Sequence, residues 1–320
     1  MSAIAILHTG DLLGKELRET IDRGEGGTDG RYDEIRLLST REAEIGTLTE
    51  VMGAAALVQP YTPESLLGVE AAFFCGPIAA NRPLLAELPK GVRAVVLSTD
   101  ATPEDGTPVV AGINDAAAHG GRPLLSPHPA VVLLAHLLHP LAGLGLEQVV
   151  GTLVQPASMH GDAGLEELFE QTRQIVAMTQ RRRSQVFGAQ LAFNLLPAAV
   201  AIEPLVAMLA AVLGAAGDGP AVSLQVVQGG VFHCFSASLN VHLKSDPGLP
   251  ALRRALSSNA HLQPADDPRH LGPIDAAASE KVLYGTPRKE GAGFFWLWAV
   301  MDNLTRGGAL NALEIATLAR

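Results

Sequence analysis

Cysteine is almost missing: Cys75 and Cys234 are the only two in 320 residues. That excludes a disulfide framework and suits a reducing compartment, so a cytoplasmic setting is expected. Basic charge is also scarce. Lys plus Arg number 23 against 33 Asp plus Glu, a formal net charge of −10. Such a chain is a poor partner for nucleic acid or an anionic membrane surface. The local exception, Arg181-Arg182-Arg183, reads as a solvated helix face or helix end. Uninterrupted apolar runs of membrane length are lacking too. The longest, Ala198–Ala216, contains Glu203 and Pro204 and stops at Gly217-Asp218-Gly219-Pro220, which fits a buried helix better than a span. The opening residues Met1–Leu7 are apolar without a basic lead or small-residue cleavage site, so a first strand is expected there and not a signal peptide. No internal repeat or low-complexity tract is evident.

What is present is apolar mass. Hydrophobic residues make up 48% of the chain and mean hydropathy is +0.22, enough for large cores in two domains of ordinary size. Residues 3–7, followed by a turn and by Lys15-Glu16-Leu17, read as strand, loop and helix. Gly24–Gly30 is a glycine-rich turn. Ile35–Leu38, Ala54–Val58, Ala71–Phe74 and Ala94–Leu97 read as further short buried strands. Strands alternating with helices predict a parallel sheet covered on both faces. Further on, Ala130–Leu141 predicts an apolar helix, Val149–Val154 a strand, and Gly164–Met178 an amphipathic helix. Ala221–Val227 and Ser236–Leu243 read as strands, the second alternating Leu239, Val241 and Leu243 against Asn240, His242 and Lys244. Gly293–Arg320 reads as a last long helix, loosened at Gly307-Gly308. The fold class expected is α/β plus α+β.

Three stretches carry a resemblance. Trp298-Ala-Val-Met-Asp302-Asn303-Leu304-Thr-Arg306-Gly307-Gly308-Ala309-Leu310-Asn311-Ala312 resembles the C-terminal signature of the aspartate-semialdehyde dehydrogenase family. Gln155-Pro-Ala-Ser158-Met-His160-Gly161-Asp-Ala163-Gly164 is similar to that family's Gln-Ala-Val-Ser-Gly-Ala-Gly loop, and Phe193-Asn194-Leu-Leu-Pro197 to its Phe-Asn, two residues, Pro. Order and spacing fit over essentially the whole chain. The resemblance implies a Rossmann-like NAD(P)-binding-type N-terminal domain, residues 1–127 plus 302–320, and a dimerisation domain, residues 128–301.

The site residues the family uses are mostly replaced. The glycines of its phosphate loop fall on His8, Asp11 and Gly14, of which only Gly14 remains, and Asp11 would repel a diphosphate. Ser39 and Arg41 follow the second strand where the family's Ser and Arg reach the 2′-phosphate of NADP. Plain surface is the competing reading, and NADP is the one cofactor to consider. The family's nucleophilic Cys falls on Pro129, within Ser126-Pro127-His128-Pro129. Its carboxylate-binding Arg falls on Gln228 and its acid/base His on Phe235, with Gln155 alone in place. The phosphate-binding Arg expected after Ser98-Thr99 is absent as well. A proline cannot attack a carbonyl, a phenyl ring cannot carry a proton, and glutamine cannot make arginine's charged fork.

His233-Cys234 as a relocated nucleophile pair is disfavoured, because neighbouring strand residues point to opposite faces. The resemblance would bring His8, His128 and His160 to the interdomain crevice as a candidate ligand site. The competing reading is that they fill space left by cofactor and catalytic groups, and no metal is expected. His136 and His139, one turn apart, lack a third ligand. The expectation is a catalytically inactive, dimeric binding or scaffold protein, as a homodimer or paired with an active paralogue. The other reading is an NADP-binding oxidoreductase with altered chemistry in amino-acid biosynthesis.

Overall fold

A computed structural model describes residues 2–179, 184–214 and 219–318. The basic run Arg181–Arg183 lies outside them. The chain divides into two compact units. One comprises Met1–Val132, Ala207–Gly214 and Leu304–Arg320, the other Leu133–Val206 and Ala215–Asn303.

The first unit is built on strands β1 (Ala3–Leu7), β2 (Glu34–Ser39), β5 (Gln59–Pro60), β6 (Ala71–Phe74), β7 (Arg93–Val96), β8 (Thr107–Pro108) and β9 (Leu124–Leu125), with β3 (Leu48–Val51) and β4 (Ala54–Leu57) apart from them. The seven-stranded sheet runs β5-β2-β1-β6-β7-β9-β8, and every pairing in it is parallel. All five residues of β1 and all four of β6 are buried, as expected for strands covered on both faces. Helix α1 (Leu12–Asp22) buries Gly14, Leu17, Thr20 and Ile21, a spacing that marks one helical face. Leu313 and Ile315 of the last helix join Ile4, Phe73 and Val95 in the core. Each such large apolar side chain contributes roughly 1.5–3 kcal/mol by leaving water. Leu7 pairs with both Leu38 and Phe74, so the C-terminal ends of β1, β2 and β6 lie side by side.

The second unit holds β10 (Leu146–Gln155), β11 (Leu195–Pro197), β12 (Ala221–Gly229), β13 (Phe235–Leu243), β14 (Leu262–Pro264), β15 (Val282–Tyr284), β16 (Arg288–Gly291) and β17 (Phe294–Met301). Its mixed sheet runs β11-β12-β10-β13-β17-β15-β14, with β16 on β17. The amphipathic helix expected near Gly164–Met178 spans Gly161–Val176.

Two expectations fail. Ala54–Val58 is no buried strand of the main sheet: Ala54–Leu57 is mostly exposed and forms a hairpin with Leu48–Val51. Met52 and Gly53 both take positive φ, 53° and 69°, as a two-residue hairpin turn requires. A run of alanines is apolar but offers little area to bury. Likewise, Gly293–Arg320 is not one helix. Phe294–Met301 is a strand paired with β13 from Phe235↔Met301 to His242↔Phe294. Its Phe, Trp and Val residues favour the pleated surface, and burial alternates along it, with Phe295, Leu297 and Ala299 buried between the less buried Phe294, Trp296 and Trp298. A wide helical turn over Thr305–Leu310 follows, closed by Ala309 N–H donating to the Leu304 carbonyl, and then a helix over Asn311–Leu318. Of Ala198–Ala216, the helical part is Ile202–Leu213, which buries Leu205, Met208, Leu209 and Val212. Among the described residues no helix is long and apolar enough to cross a membrane.

Candidate functional site

In a doubly wound parallel sheet the strand ends beside the central strand form the usual nucleotide site. Here those ends carry His8, Asp11, Ser39, Arg41 and Gly76. Gly14 keeps the packing role of the last fingerprint glycine. A Cβ there would lie 2.9 Å from both the His8 carbonyl oxygen and the Thr9 Cα, backbone atoms that cannot yield. His8 occupies the left-handed backbone region, φ 57°, which glycine adopts without strain. Its buried ring donates from Nδ1 to the Cys75 carbonyl oxygen (3.1 Å) and meets the Thr40 hydroxyl through Nε2 (3.0 Å).

Ser39 and Arg41 are both engaged with carboxylates. Arg41 makes a two-pronged contact to Asp11, Nη1–Oδ1 2.8 Å and Nη2–Oδ2 3.0 Å, and a third to Glu44 Oε1, 2.8 Å. The hydrogen bond to Asp11 pushes the Arg41 pKa still higher. Ser39 is fully buried, donates to Glu44 Oε2 at 2.8 Å and accepts the Arg41 backbone N–H at 3.0 Å. Two carboxylates against one guanidinium leave the cluster net negative, and a side chain stands where the backbone would have to approach a diphosphate. These residues do not fit a dinucleotide phosphate. Sequence reasoning placed Asp11 and Arg41 separately and overlooked Glu44; the available signal was the short spacing Ser39, Arg41, Glu44 after a strand.

Pro129, at the position the resemblance gives to the nucleophile, is buried as the first residue of the helix Pro129–Ala142, where its fixed φ and missing N–H are tolerated. His128 caps that helix. Its carbonyl accepts Val131 N–H (2.7 Å) and its ring Nδ1 accepts Ala130 N–H (3.1 Å). Burial pushes the His128 pKa down to about 4, so the ring is neutral near pH 7.

In the second unit, Gln155 ends β10 and Gln228 lies near the end of β12, paired in register. The Gln228 Oε1 accepts from Gln155 Nε2 (3.0 Å) and from His160 Nε2 (2.9 Å), while Gln228 Nε2 donates to the Gln155 carbonyl oxygen (3.0 Å). No carboxylate or guanidinium joins this hydrogen-bonded trio, and the exposed His160 ring meets the Phe187 ring edge-on at 5.2 Å between centroids. Phe235 is fully buried at the start of β13. His8 and His128 belong to the first unit and His160 to the second, each engaged within its own unit. His136 is buried against His261, with centroids 4.8 Å apart, whereas His139 is exposed. Among the described residues no group of three or more His, Cys, Asp or Glu could hold a metal ion.

Both thiols are buried, and desolvation raises the pKa of each. That is the opposite of what a nucleophilic thiolate needs. His233 and Cys234 precede β13 and are not part of it, so the opposite-face argument against the pair does not apply. Cys234 takes φ 74°, and its Sγ faces Asp302 Oδ2 at 3.9 Å. The signature asparagines explain themselves as pins. Asn303 accepts Cys234 N–H (2.9 Å) and donates to Ser158 Oγ (3.0 Å). Asn311 accepts Ala111 N–H (3.0 Å) and donates to the Val109 carbonyl oxygen and Ser126 Oγ. Neither role requires chemistry, so both can outlast it.

A Rossmann-type parallel sheet joined in one chain to a mixed-sheet unit defines a two-domain α/β class. Residues 138–306 match the semialdehyde dehydrogenase dimerisation domain, and the chain belongs to the semialdehyde dehydrogenase family. It is 25% identical over 342 residues to the aspartate-semialdehyde dehydrogenase of Bacillus subtilis (strain 168), covering 98% of this chain and 96% of that protein. It is 28% identical over 246 residues to the USG-1 protein homolog of Pseudomonas aeruginosa, covering 71% and 72%. Among solved structures, a probable aspartate-semialdehyde dehydrogenase from Pseudomonas aeruginosa superposes with a TM-score of 0.87 at 24% identity over 99% of this chain and 98% of that one. Aspartate semialdehyde dehydrogenase II from Vibrio cholerae, complexed with ASA, gives 0.86 at 22% over 99% and 98%. These superpositions establish the fold.

Proposed function

We propose that this chain is a non-catalytic member of the semialdehyde dehydrogenase family, a homodimer acting as a binding or scaffold protein. The observation that carries the reading is the want of a usable nucleophile. Pro129 stands at the thiol's position, sealed into a helix start, and the two thiols the chain does have are buried with raised pKa values. The remaining positions agree. Phe235 has no proton to move, and Gln228 spends its carbonyl oxygen on Gln155 and His160 in place of a substrate carboxylate.

The match of residues 138–306 to a dimerisation domain supports a dimer; pairing with an active paralogue is the variant that co-purification would separate. The other reading, an NADP-binding oxidoreductase of altered chemistry in amino-acid biosynthesis, needs Ser39 and Arg41 free for a phosphate, and both are tied to Glu44 and Asp11. A thiol-alkylating reagent applied to the native protein tests the proposal. Neither cysteine is expected to react until the chain is unfolded, whereas rapid labelling of one would reveal an activated thiol and sink the reading.

A further inference from the structure

We propose that the nucleotide site of the first unit is self-occupied: Asp11 and Glu44 hold Arg41 in the place of a ligand's 2′-phosphate, so the native chain binds no nucleotide through a phosphate at that position. This goes beyond the missing nucleophile, because an inactive chain can still bind a dinucleotide, and the two readings fail separately.

In a doubly wound sheet an arginine just past the second strand is the group that takes the 2′-phosphate, while glycines around the β1 end let a ligand approach the backbone. The arginine is present and is engaged internally, and the glycines beside it, Gly10 and Gly76, are covered by the protein's own side chains. The Arg41 fork is filled by the Asp11 carboxylate, which presents two oxygens as a phosphate would, and Nη1 also meets Glu44. The ion pair lies on the Gly76 backbone: a Cβ there would fall 2.6 Å from Asp11 Oδ2 and 2.8 Å from Arg41 Nη2. Gly76 has φ 82°, so the close approach that glycine allows serves the protein's own side chains. Gly10 does the same for Glu44, whose Oε1 would be 3.0 Å from a Cβ. Ser39, the hydroxyl nearest the arginine, is buried and donates to Glu44. A phosphate entering here would have to displace two carboxylates from one guanidinium and then face their charge.

The test is calorimetric titration of the full chain with 2′-AMP and NADP, with 5′-AMP and NAD as controls. 2′-AMP probes the position without a diphosphate, so the His8 side chain does not confuse the result. The wild type is expected to give no saturable heat with any of the four. The Asp11→Ala/Glu44→Gln variant is expected to gain saturable, salt-sensitive binding of 2′-AMP, at least about tenfold tighter than 5′-AMP, as one charge-assisted fork allows. Adding Arg41→Ala should abolish it. If the double variant does not fold by circular dichroism, Asp11→Asn, which keeps the side chain's shape, is expected to show the same gain more weakly. Wild-type binding of 2′-AMP or NADP that is lost in Arg41→Ala would overturn the proposal, and so would a folded variant that still ignores 2′-AMP.

Discussion

The cap of the helix Pro129–Ala142 offers a pH test of the rebuilt loop. His128 holds Ala130 N–H through ring Nδ1, which requires a neutral ring with the proton on Nε2. Burial moves its pKa from the ordinary 6.5 down to about 4, and a helix N-terminus also disfavours a cation. Because the folded pKa lies below the unfolded one, protons bind the unfolded chain first. The stability involved is whole above pH 6.5 and drains away as pH falls toward 4. The gap corresponds to about 3 kcal/mol when complete. The residue is only half-buried, and solvent screening reduces that to roughly 1–2 kcal/mol. Near pH 5, about 1 kcal/mol should already be gone. His128→Asn supplies a good cap without a titrating ring. Urea unfolding of both proteins at a series of pH values from neutral to about pH 5 should show the wild type losing stability faster than the variant by that amount. Curves that fall in parallel would refute the neutral-cap assignment and reopen His128 as an anion-binding cation.

Asn303→Ala should cost roughly 2–4 kcal/mol in urea or thermal unfolding, since a buried Cys234 N–H and the Ser158 hydroxyl both lose their partner; a neutral effect would show that the pin is dispensable. Gly14→Ala should lower stability by roughly 1–2 kcal/mol despite the better helix propensity of alanine, because the methyl meets the His8 and Thr9 backbone at 2.9 Å. Gln228→Arg, which introduces the residue that the resemblance implies there, should destabilise by about 2 kcal/mol, because Gln155 Nε2 and His160 Nε2 would face a guanidinium in place of an acceptor oxygen. If that variant melts at the wild-type temperature, the polar cluster matters less than its geometry indicates.

Most of the fold was legible. Ala3–Leu7 and Ala71–Phe74 are short apolar strands that can only be central, and the stretch around Asn303 and Asn311 announced its family because those amides are fixed by backbone partners. The errors have physical causes. Phe294–Met301 is apolar throughout, so no polar residue marks its alternation and it reads on into the helix that follows. Ala54–Leu57 is apolar in kind but not in area. The proposed reading of the site came from the positions at which the resemblance puts Pro129, Gln228 and Phe235. The ion-pair cluster was not legible. Asp11, Arg41 and Glu44 meet only because β1 and β2 end side by side, and two features read separately, an acid that repels phosphate and a base that attracts it, are partners in one ion pair.

Hydride transfer is the decisive reaction for this chain. Purified chain, aspartate semialdehyde, phosphate and NADP, with an active family member as the positive control, should yield reduced nicotinamide no faster than the mixture without the chain. Saturable production of reduced nicotinamide that scales with the amount of this protein would contradict it.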